Sequence, residues 1–427
     1  MSRMIILGIL SGLFIIIPPV FAGQFDPIDE IIAGNFSGFG ARQMGMGGAG
    51  MMTLDGTALF YNPANLARIP RIELNLGLSY QKFKDDAVSR PIGITRSFKA
   101  HDSKTNSRFN SAIMSVPYPT YRGSLVFGFG MVRSSDFDRV SRLNYVEGDG
   151  AAALSNIESS MESGGLNEWA FGFGIDLSPR VSFGGSVLLY SGKHDFTLKS
   201  PIYQNGLEID SYEQLLKKDY FGIGGKIGLA MQLSPHLGMG MAVESPVSLA
   251  VDEDGYEIAN DLVTPYSTAE YDLKRPFIFS AGLISRFDYA TLMADIDYSD
   301  WTQFAYSDNF QMEVRNDQFK EYYRETLRLR AGGEYVFPDL GLSLRAGYFY
   351  DPLPFSSDYF NKDRKGFSLG LGLLVDEVMT IDMALVHGSY TNYNLLSPTS
   401  GSPFVNDFEF IQDISYNRVY LAAAYRF

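Results

Sequence analysis

Most of this 427-residue chain alternates between large apolar residues and small or polar residues with a period of two. From Trp169 to Leu177, the large apolar side chains fall on one face of an extended strand, whereas Ala, Gly and Asp fall on the other. The segment from Phe221 to Leu233 repeats the pattern. Such alternation indicates strands whose two faces meet different surroundings. A soluble β-sandwich and a membrane β-barrel both satisfy it, since the apolar faces meet each other in the first and contact lipid in the second.

The number and spacing of the strands favour the barrel. The alternation predicts fourteen strands, and most contain enough residues to cross a bilayer at a tilt. Short turns alternate with long polar loops, as in outer-membrane barrels, which carry short turns on one rim and long loops on the other. The predicted strands are 71–81, 107–117, 122–134, 166–178, 180–192, 220–233, 236–245, 274–287, 289–300, 322–337, 341–350, 366–376, 378–388 and 417–427. The predicted long loops are 82–106, 135–165, 193–219, 246–273, 301–321, 351–365 and 389–416.

Composition excludes several classes of function. The chain has no cysteine, so it has no disulfide framework and no thiolate nucleophile or metal ligand. Its 35 Lys and Arg residues against 49 Asp and Glu residues give a net charge of −14, which disfavours nucleic acid as a partner. The four histidines show no metal-ligand spacing, and no nucleophile elbow, Walker loop or Rossmann loop is present. The sequence therefore predicts a protein that is not an enzyme and that needs no metal or cofactor.

The two ends of the chain indicate export to an outer membrane. Residues 1–22 combine a positive residue, an apolar stretch and a small-residue cleavage site, which predicts a secretory signal peptide. The last strand alternates up to a terminal Phe427, as outer-membrane barrels do, and this strand is the signal that the barrel assembly machinery recognises. We therefore expect a multi-pass β-barrel in a Gram-negative-type outer membrane, in contact with the lipids of that membrane.

Residues 23–70 do not alternate and are rich in Gly, Met and Ala. A segment of this length ahead of a large barrel is expected to fold into the lumen as a plug, because the interior side chains do not fill a barrel of this size. A disordered periplasmic tail is the alternative. The sequence thus predicts a signal peptide at 1–22, a plug at 23–70 and a fourteen-stranded antiparallel transmembrane β-barrel at 71–427.

Two stretches of the predicted plug resemble a known family. The residues Met44-Gly45-Met46-Gly47-Gly48-Ala49 and the stretch from Ala58 to Ala67 are similar to the N-terminal signature of the FadL/TodX outer-membrane transporter superfamily. The resemblance implies a hatch with an Asn-Pro-Ala motif, here Asn62-Pro63-Ala64 preceded by Phe60. Asn65 stands where the family commonly has glycine. The signature is shared by the PorV-like barrels, which act as type IX secretion and surface-attachment factors.

The resemblance implies passive uptake of hydrophobic small molecules, such as long-chain fatty acids or hydrocarbons. In that family the substrate is captured by the extracellular loops, held above the hatch and released laterally through a gap at strand 3. Gly128 and Gly130 lie in the predicted strand 3 and would permit the kink that such a gap needs. The alternative for these two residues is that lumen-side glycines are general in this chain. The alternative for the whole protein is a PorV-like secretion or attachment barrel.

A carboxylate head group would favour arginine as its partner, because the guanidinium group binds a carboxylate through two hydrogen bonds. The alternation places Arg328, Arg330 and Arg345 on the lumen face of neighbouring strands, which makes them candidate ligand-binding residues. The same alternation places four carboxylates nearby, so a ladder of salt bridges along the lumen wall is the alternative. These carboxylates are Asp295, Asp297, Glu334 and Asp382.

Overall fold

The alternating pattern folds into a closed, antiparallel β-barrel. A computed structural model describes residues 32–35, 38–92, 96–147, 153–259, 262–355, 362–396 and 407–427. The predicted signal peptide, residues 1–22, lies outside the described residues. No helix in the described part of the chain is both long enough and apolar enough to cross a membrane.

The strands in the described residues combine into fourteen crossings of the barrel wall. Three crossings are each built from two strands in line, β3 with β4, β8 with β9 and β10 with β11, while β13 has three residues and pairs with β10. The strands are β1 (Glu73–Pro91), β2 (Phe98–Tyr118), β3 (Leu125–Asp136), β4 (Arg139–Glu147), β5 (Leu154–Ser178), β6 (Val181–Gln204), β7 (Leu207–Gln232), β8 (Leu237–Glu244), β9 (Val247–Ala259), β10 (Leu262–Arg275), β11 (Ile278–Arg286), β12 (Ala290–Asp300), β13 (Ala305–Ser307), β14 (Glu325–Phe337), β15 (Leu342–Asp351), β16 (Lys362–Val375), β17 (Met379–Leu396) and β18 (Phe408–Arg426).

The first and last strands close the barrel. β1 pairs with β18 along its whole length, from Glu73 opposite Arg426 to Pro91 opposite Phe408, and pairs with β2 on its other edge. On β1 the side chains of Leu74, Leu76 and Leu78 are exposed on the outer face, whereas Glu73 and Asn75 are buried on the inner face. The wall therefore has the apolar exterior that contact with lipid requires.

All fourteen predicted strands are present, but the predicted long loops are wrong in large part. β5, β6 and β7 contain 25, 24 and 26 residues, far more than the ~9–11 that one crossing of a bilayer needs. Their outer ends pass through the segments 135–165 and 193–219, which the sequence predicts as loops. Beyond the lipid-facing band the outward face of the sheet meets water, so the ladder of hydrogen bonds continues while polar residues such as Lys193, Asp195 and Lys199 occupy that face.

Short helices occupy the lumen, one long loop and one short turn. α1 (Ala41–Gly45), α2 (Ala58–Tyr61) and a 3-10 helix at Pro63–Arg68 precede the first strand. Between β12 and β14 lie a 3-10 helix at Trp301–Gln303, α3 (Phe310–Glu313) and α4 (Asn316–Tyr322), and another 3-10 helix at Pro338–Leu340 joins β14 to β15.

The turn between β16 and β17 carries backbone strain. Asp376 and Glu377 have φ angles of 49° and 59°, a left-handed conformation that costs an L-residue about 1 kcal/mol relative to glycine. We expect Glu377→Gly to raise the stability of the folded barrel by about 1 kcal/mol without changing transport. The thermal midpoint of the detergent-resistant folded form measures the effect. A lowered thermal midpoint would show that the backbone conformation at Glu377 is not strained.

Candidate functional site

The N-terminal segment, defined here as residues 38–70, lies inside the barrel and is almost completely buried. Its backbone packs against glycines that face inward from the wall. Gly174, Gly184 and Gly228 are neighbours across β5, β6 and β7. A Cβ atom on Gly184 would lie 2.5 Å from the amide nitrogen of Ala64, so this position has no room for a side chain. Glycine on the inner face therefore lets the segment lie directly against the wall.

The Asn62-Pro63-Ala64 motif fixes the segment to β7. The Oδ1 atom of Asn62 accepts a hydrogen bond of 3.2 Å from the amide of Ala64, and its Nδ2 atom donates one of 3.1 Å to the carbonyl of Leu229. Pro63 begins the 3-10 helix, where a missing N–H leaves nothing unsatisfied. The carbonyl of Phe60 accepts a hydrogen bond of 2.6 Å from the Nζ atom of Lys226, also on β7.

A second group of contacts fixes the segment to the opposite side of the wall. The Oδ2 atom of Asp295 accepts hydrogen bonds of 2.6 and 2.9 Å from the amides of Gly50 and Met51. The Oγ atom of Ser368 accepts one of 2.9 Å from the amide of Gly47. These contacts use backbone donors, so they depend on the path of the segment rather than on its side chains.

Tyr61 is buried within the N-terminal segment and donates a hydrogen bond of 3.1 Å to the carbonyl of Phe39. Burial raises the pKa of its hydroxyl group well above the usual value, so the phenol stays protonated and keeps this bond. Its ring also packs on that of Phe39, with centroids 4.6 Å apart.

Arg345, one of the three arginines proposed from sequence, lies in a buried ion network with the N-terminal segment. Its guanidinium group donates to Glu334 at 2.6 Å and to Asp382 at 2.7 Å. Arg42 of α1 pairs with the same Glu334 at 2.7 Å. The network joins the segment to β14, β15 and β17, and Arg345 does not line the cavity described next.

A small cavity of about 30 Å³ lies between the N-terminal segment and the wall, with room for roughly two water molecules. The guanidinium groups of Arg328, Arg330 and Arg418 line it, together with one carboxylate, that of Asp351. Arg418 was missed at the sequence level, although its place in the alternating last strand puts it on the inner face. The remaining lining residues are apolar, aromatic or glycine: Met44, Gly47, Gly48, Phe349, Val386, Tyr416 and Tyr420.

Two of the three arginines of this cavity, Arg328 and Arg330, also form salt bridges along the lumen wall, which is the alternative given for them above. Arg328 pairs with Asp351 at 2.6 Å and lies 3.7 Å from Asp297, and Arg330 pairs with Asp297 at 2.9 Å. Arg418 lies over the ring of Tyr416, with 4.8 Å between its Cζ atom and the ring centroid. The ladder holds Arg328 and Arg330 in place at the edge of the cavity.

Residues 301–323 form an aromatic layer that packs on the same buried cluster as the N-terminal segment. Phe319 of α4 is completely buried, and its ring centroid lies 5.2 Å from that of Phe304 and 5.1 Å from those of Tyr306 and Tyr323. An apolar layer of this kind excludes water and offers contact area to a hydrophobic molecule.

Strand 3 is continuous at Gly128 and Gly130, the candidate residues for a lateral opening. Gly128 pairs with Ser115 on one side and Gly172 on the other, within an unbroken ladder. A Cβ atom on Gly128 would lie 3.2 Å from Leu59 and Leu66 of the N-terminal segment. This glycine therefore makes room for the segment. The interruption lies at residues 137–138, between β3 and β4.

Residues 31–427 match the family described as outer membrane protein transport protein (OMPP1/FadL/TodX). The chain belongs to this family. Solved FadL/TodX-type structures share its fold at low identity. A Pseudomonas aeruginosa FadL homologue is 16% identical, with a TM-score of 0.65, over 92% of this chain and 100% of that one. The toluene transporter TodX of P. putida is 17% identical, with a TM-score of 0.60, over 92% of this chain and 99% of that one. The Ralstonia pickettii toluene transporter TbuX is 16% identical, with a TM-score of 0.57, over 92% of this chain and 99% of that one.

Membership of the FadL/TodX family, together with the closed barrel, makes the chain an outer-membrane transport protein. The comparisons do not support the alternative of a PorV-like secretion or attachment barrel. No match was found among curated proteins. In the described part of the chain, no group of His, Cys, Asp and Glu side chains is arranged to hold a metal ion.

Proposed function

We propose that the protein takes up amphiphilic molecules with a carboxylate head group, of the long-chain fatty acid class, by passive diffusion. The observation that supports this substrate is the cavity beside the N-terminal segment, where three guanidinium groups face one carboxylate and an apolar wall. Arginine binds a carboxylate through two parallel hydrogen bonds, and an apolar wall beside it suits an acyl chain. A hydrocarbon substrate has no charged group that the arginines could bind.

In this proposal the aromatic layer at 301–323 receives the acyl chain and the arginines hold the head group. The N-terminal segment acts as the hatch, and Phe60, Asn62, Pro63 and Ala64 form its attachment to β7. The cavity of about 30 Å³ is smaller than any such substrate, so binding requires the hatch to shift. Release is lateral, through the interruption of strand 3 at residues 137–138 rather than at Gly128 and Gly130.

Removing one cavity arginine tests the head-group contact. We expect Arg418→Gln to lower uptake of a labelled long-chain fatty acid about tenfold, because a hydrogen bond to a charged group contributes roughly 1.5–3 kcal/mol. Uptake of labelled toluene through the same variant should be unchanged. Both are measured in a host that lacks its own transporter of this family.

Arg122→Gln is the matched control, because it removes the same charge from an exposed turn outside the lumen. It should leave both uptake rates at the level of the unmodified protein. An equal loss of fatty acid and toluene uptake in Arg418→Gln would contradict the proposed role, since it would indicate a general defect of the barrel.

A further inference from the structure

Two arginines meet at the rim of the barrel that carries the short turns after β5, β7 and β11. Arg68 is the last residue of the 3-10 helix in the N-terminal segment, and Arg286 is the last residue of β11. Arg286 lies at an inward position of its strand, because it follows the buried Ile284 by two residues. The segment and the wall therefore each place one guanidinium group at this end of the lumen.

A neutral oxygen atom binds both guanidinium groups. The Oε1 atom of Gln232, at the end of β7, accepts a hydrogen bond of 3.0 Å from the Nη1 atom of Arg68 and one of 3.5 Å from that of Arg286. The Nε2 atom of Gln232 donates to the carbonyls of Ser234 at 2.7 Å and Leu237 at 3.3 Å. These two bonds fix the amide group, so its oxygen faces the arginines.

The protein does not neutralise the charges of these two arginines. In the described part of the chain, neither Arg68 nor Arg286 forms an ion pair with a carboxylate, whereas Arg328, Arg330 and Arg345 elsewhere in the lumen each do. The Nη2 atom of Arg286 is buried and has no hydrogen-bond partner. A buried charged donor without a partner is unfavourable and marks a place where a ligand or a water molecule fits. Beside a second cation, the ligand that fits is an anion.

Apolar side chains lie on the lumen side of the two arginines. A Cβ atom on Gly238 of β8 would lie 3.5 Å from the Oε1 atom of Gln232 and 3.0 Å from the Cε atom of Met52. Met52 and Ile284 belong to a buried cluster of apolar side chains. Surroundings of low polarity strengthen the attraction between a cation and an anion. The cluster separates the arginines from the interior of the lumen, so we expect an anion to approach from the rim.

We propose that Arg68 and Arg286, positioned by Gln232, bind a small oxyanion, a carboxylate or a phosphate group. Its oxygens accept hydrogen bonds from both guanidinium groups, including the Nη2 atom of Arg286, and its charge offsets the repulsion between the two cations. Because one arginine belongs to the N-terminal segment and the other to the wall, the bound anion joins the two and holds the segment in the lumen. The inference does not depend on which molecule the barrel transports.

Calorimetric titration with inorganic phosphate and with acetate tests the site. The whole barrel with its N-terminal segment is titrated in a non-ionic detergent and a chloride buffer of constant ionic strength. We expect Arg68→Gln and Arg286→Gln each to weaken binding at least about tenfold, because each removes a hydrogen bond to a charged ligand. Tighter binding of acetate would identify a carboxylate as the ligand, and tighter binding of phosphate would identify a phosphate group.

Arg122→Gln is the matched control, because it removes the same charge from an exposed position in the β2–β3 turn of the same rim. It should bind both anions as the unmodified protein does. The site would be overturned if the unmodified protein bound neither anion. It would also be overturned if all three variants bound them equally, since that result would indicate an adventitious ion only.

A second measurement tests whether the anion joins the segment to the wall. Ala67 is 3% exposed and precedes Arg68, so a cysteine at this position reacts when the segment leaves the wall, and the chain has no native cysteine. Phosphate at ten times its Kd should slow modification of Ala67→Cys by a water-soluble maleimide about tenfold, as expected for a ligand of the seated state alone. With Arg286→Gln added, phosphate should not change the rate. An equal rate with and without phosphate in Ala67→Cys would overturn the role of the anion in holding the segment.

Discussion

Replacing Gly184 by valine is expected to displace the N-terminal segment from the lumen and to make the barrel leak. The new Cβ atom would lie 2.5 Å from the amide nitrogen of Ala64 and the carbonyl oxygen of Pro63, and backbone atoms cannot yield as a flexible side chain would. Overpacking of about 3 kcal/mol would shift the balance between seated and displaced segment by roughly a hundredfold. The measurement is the sensitivity of the host to a large hydrophilic antibiotic that the intact outer membrane excludes.

Gly185→Val provides the control from the next residue of the same strand. A Cβ atom on Gly185 would have its nearest neighbours at 3.7 Å, an ordinary van der Waals distance. Because successive side chains of a strand point to opposite faces, this valine faces away from the N-terminal segment. The control should assemble normally and admit no antibiotic. Unchanged antibiotic resistance in Gly184→Val, or equal sensitivity in both variants, would contradict the proposed displacement of the segment by a side chain at residue 184.

Replacing Arg345 by methionine is expected to destabilise the folded barrel by about 3–5 kcal/mol, because breaking a buried ion pair leaves a charge without compensation. The side chains of Arg345, Glu334 and Asp382 are 4%, 5% and 13% exposed, so water cannot replace the lost guanidinium group. Glu334 keeps Arg42 as a partner, and Asp382 loses its hydrogen bond of 2.7 Å. The urea midpoint of the detergent-solubilised barrel measures the change.

Lys320→Met is the control for this variant. Lys320 pairs with Asp317 at 2.9 Å, but the two side chains are 70% and 93% exposed, and exposed pairs contribute little to stability. The urea midpoint of this variant should not change measurably. Equal midpoints for Arg345→Met and the unmodified protein would indicate that the lumen network is solvated and that its burial does not matter.

The membrane-crossing part of the fold could be predicted from the sequence for a physical reason. Residues that face lipid must be apolar, and the alternate residues that face the N-terminal segment must be small or polar. A strand such as 221–233 therefore shows both faces as an alternation in its sequence. The turn after β16 and the pairing of β1 with β18 follow from the same pattern. The family signature around Asn62 could also be recognised from sequence, because Asn62 has a local role as the N-cap of the 3-10 helix that follows it.

The parts of the fold and of the site that could not be predicted depend on contacts between residues far apart in sequence. The outer end of β6 carries polar residues such as Lys193, Asp195 and Lys199 on its outward face, so it lacks the lipid-facing apolar alternation by which the other strands were predicted. The interruption at residues 137–138 is stabilised by Lys104 and Arg108 on another strand, and nothing in the residues around Asp138 indicates it. Arg418 had the right place in the alternation, but it lies four strands from Arg328, and the two side chains line one cavity only because the wall curves around the N-terminal segment.

The long-range bond between Gly47 and Ser368 has a consequence for the order of assembly. The two residues are 321 positions apart. Gly47 is synthesised early, and its partner becomes accessible only after most of the strands have been synthesised. Contacts of such sequence separation slow folding, since the loss of chain entropy precedes the gain from the contact. In the folded protein the seam between β1 and β18 closes around this buried segment. If the seam closed before the segment entered the lumen, the barrel would lack the contacts that the segment makes with its wall.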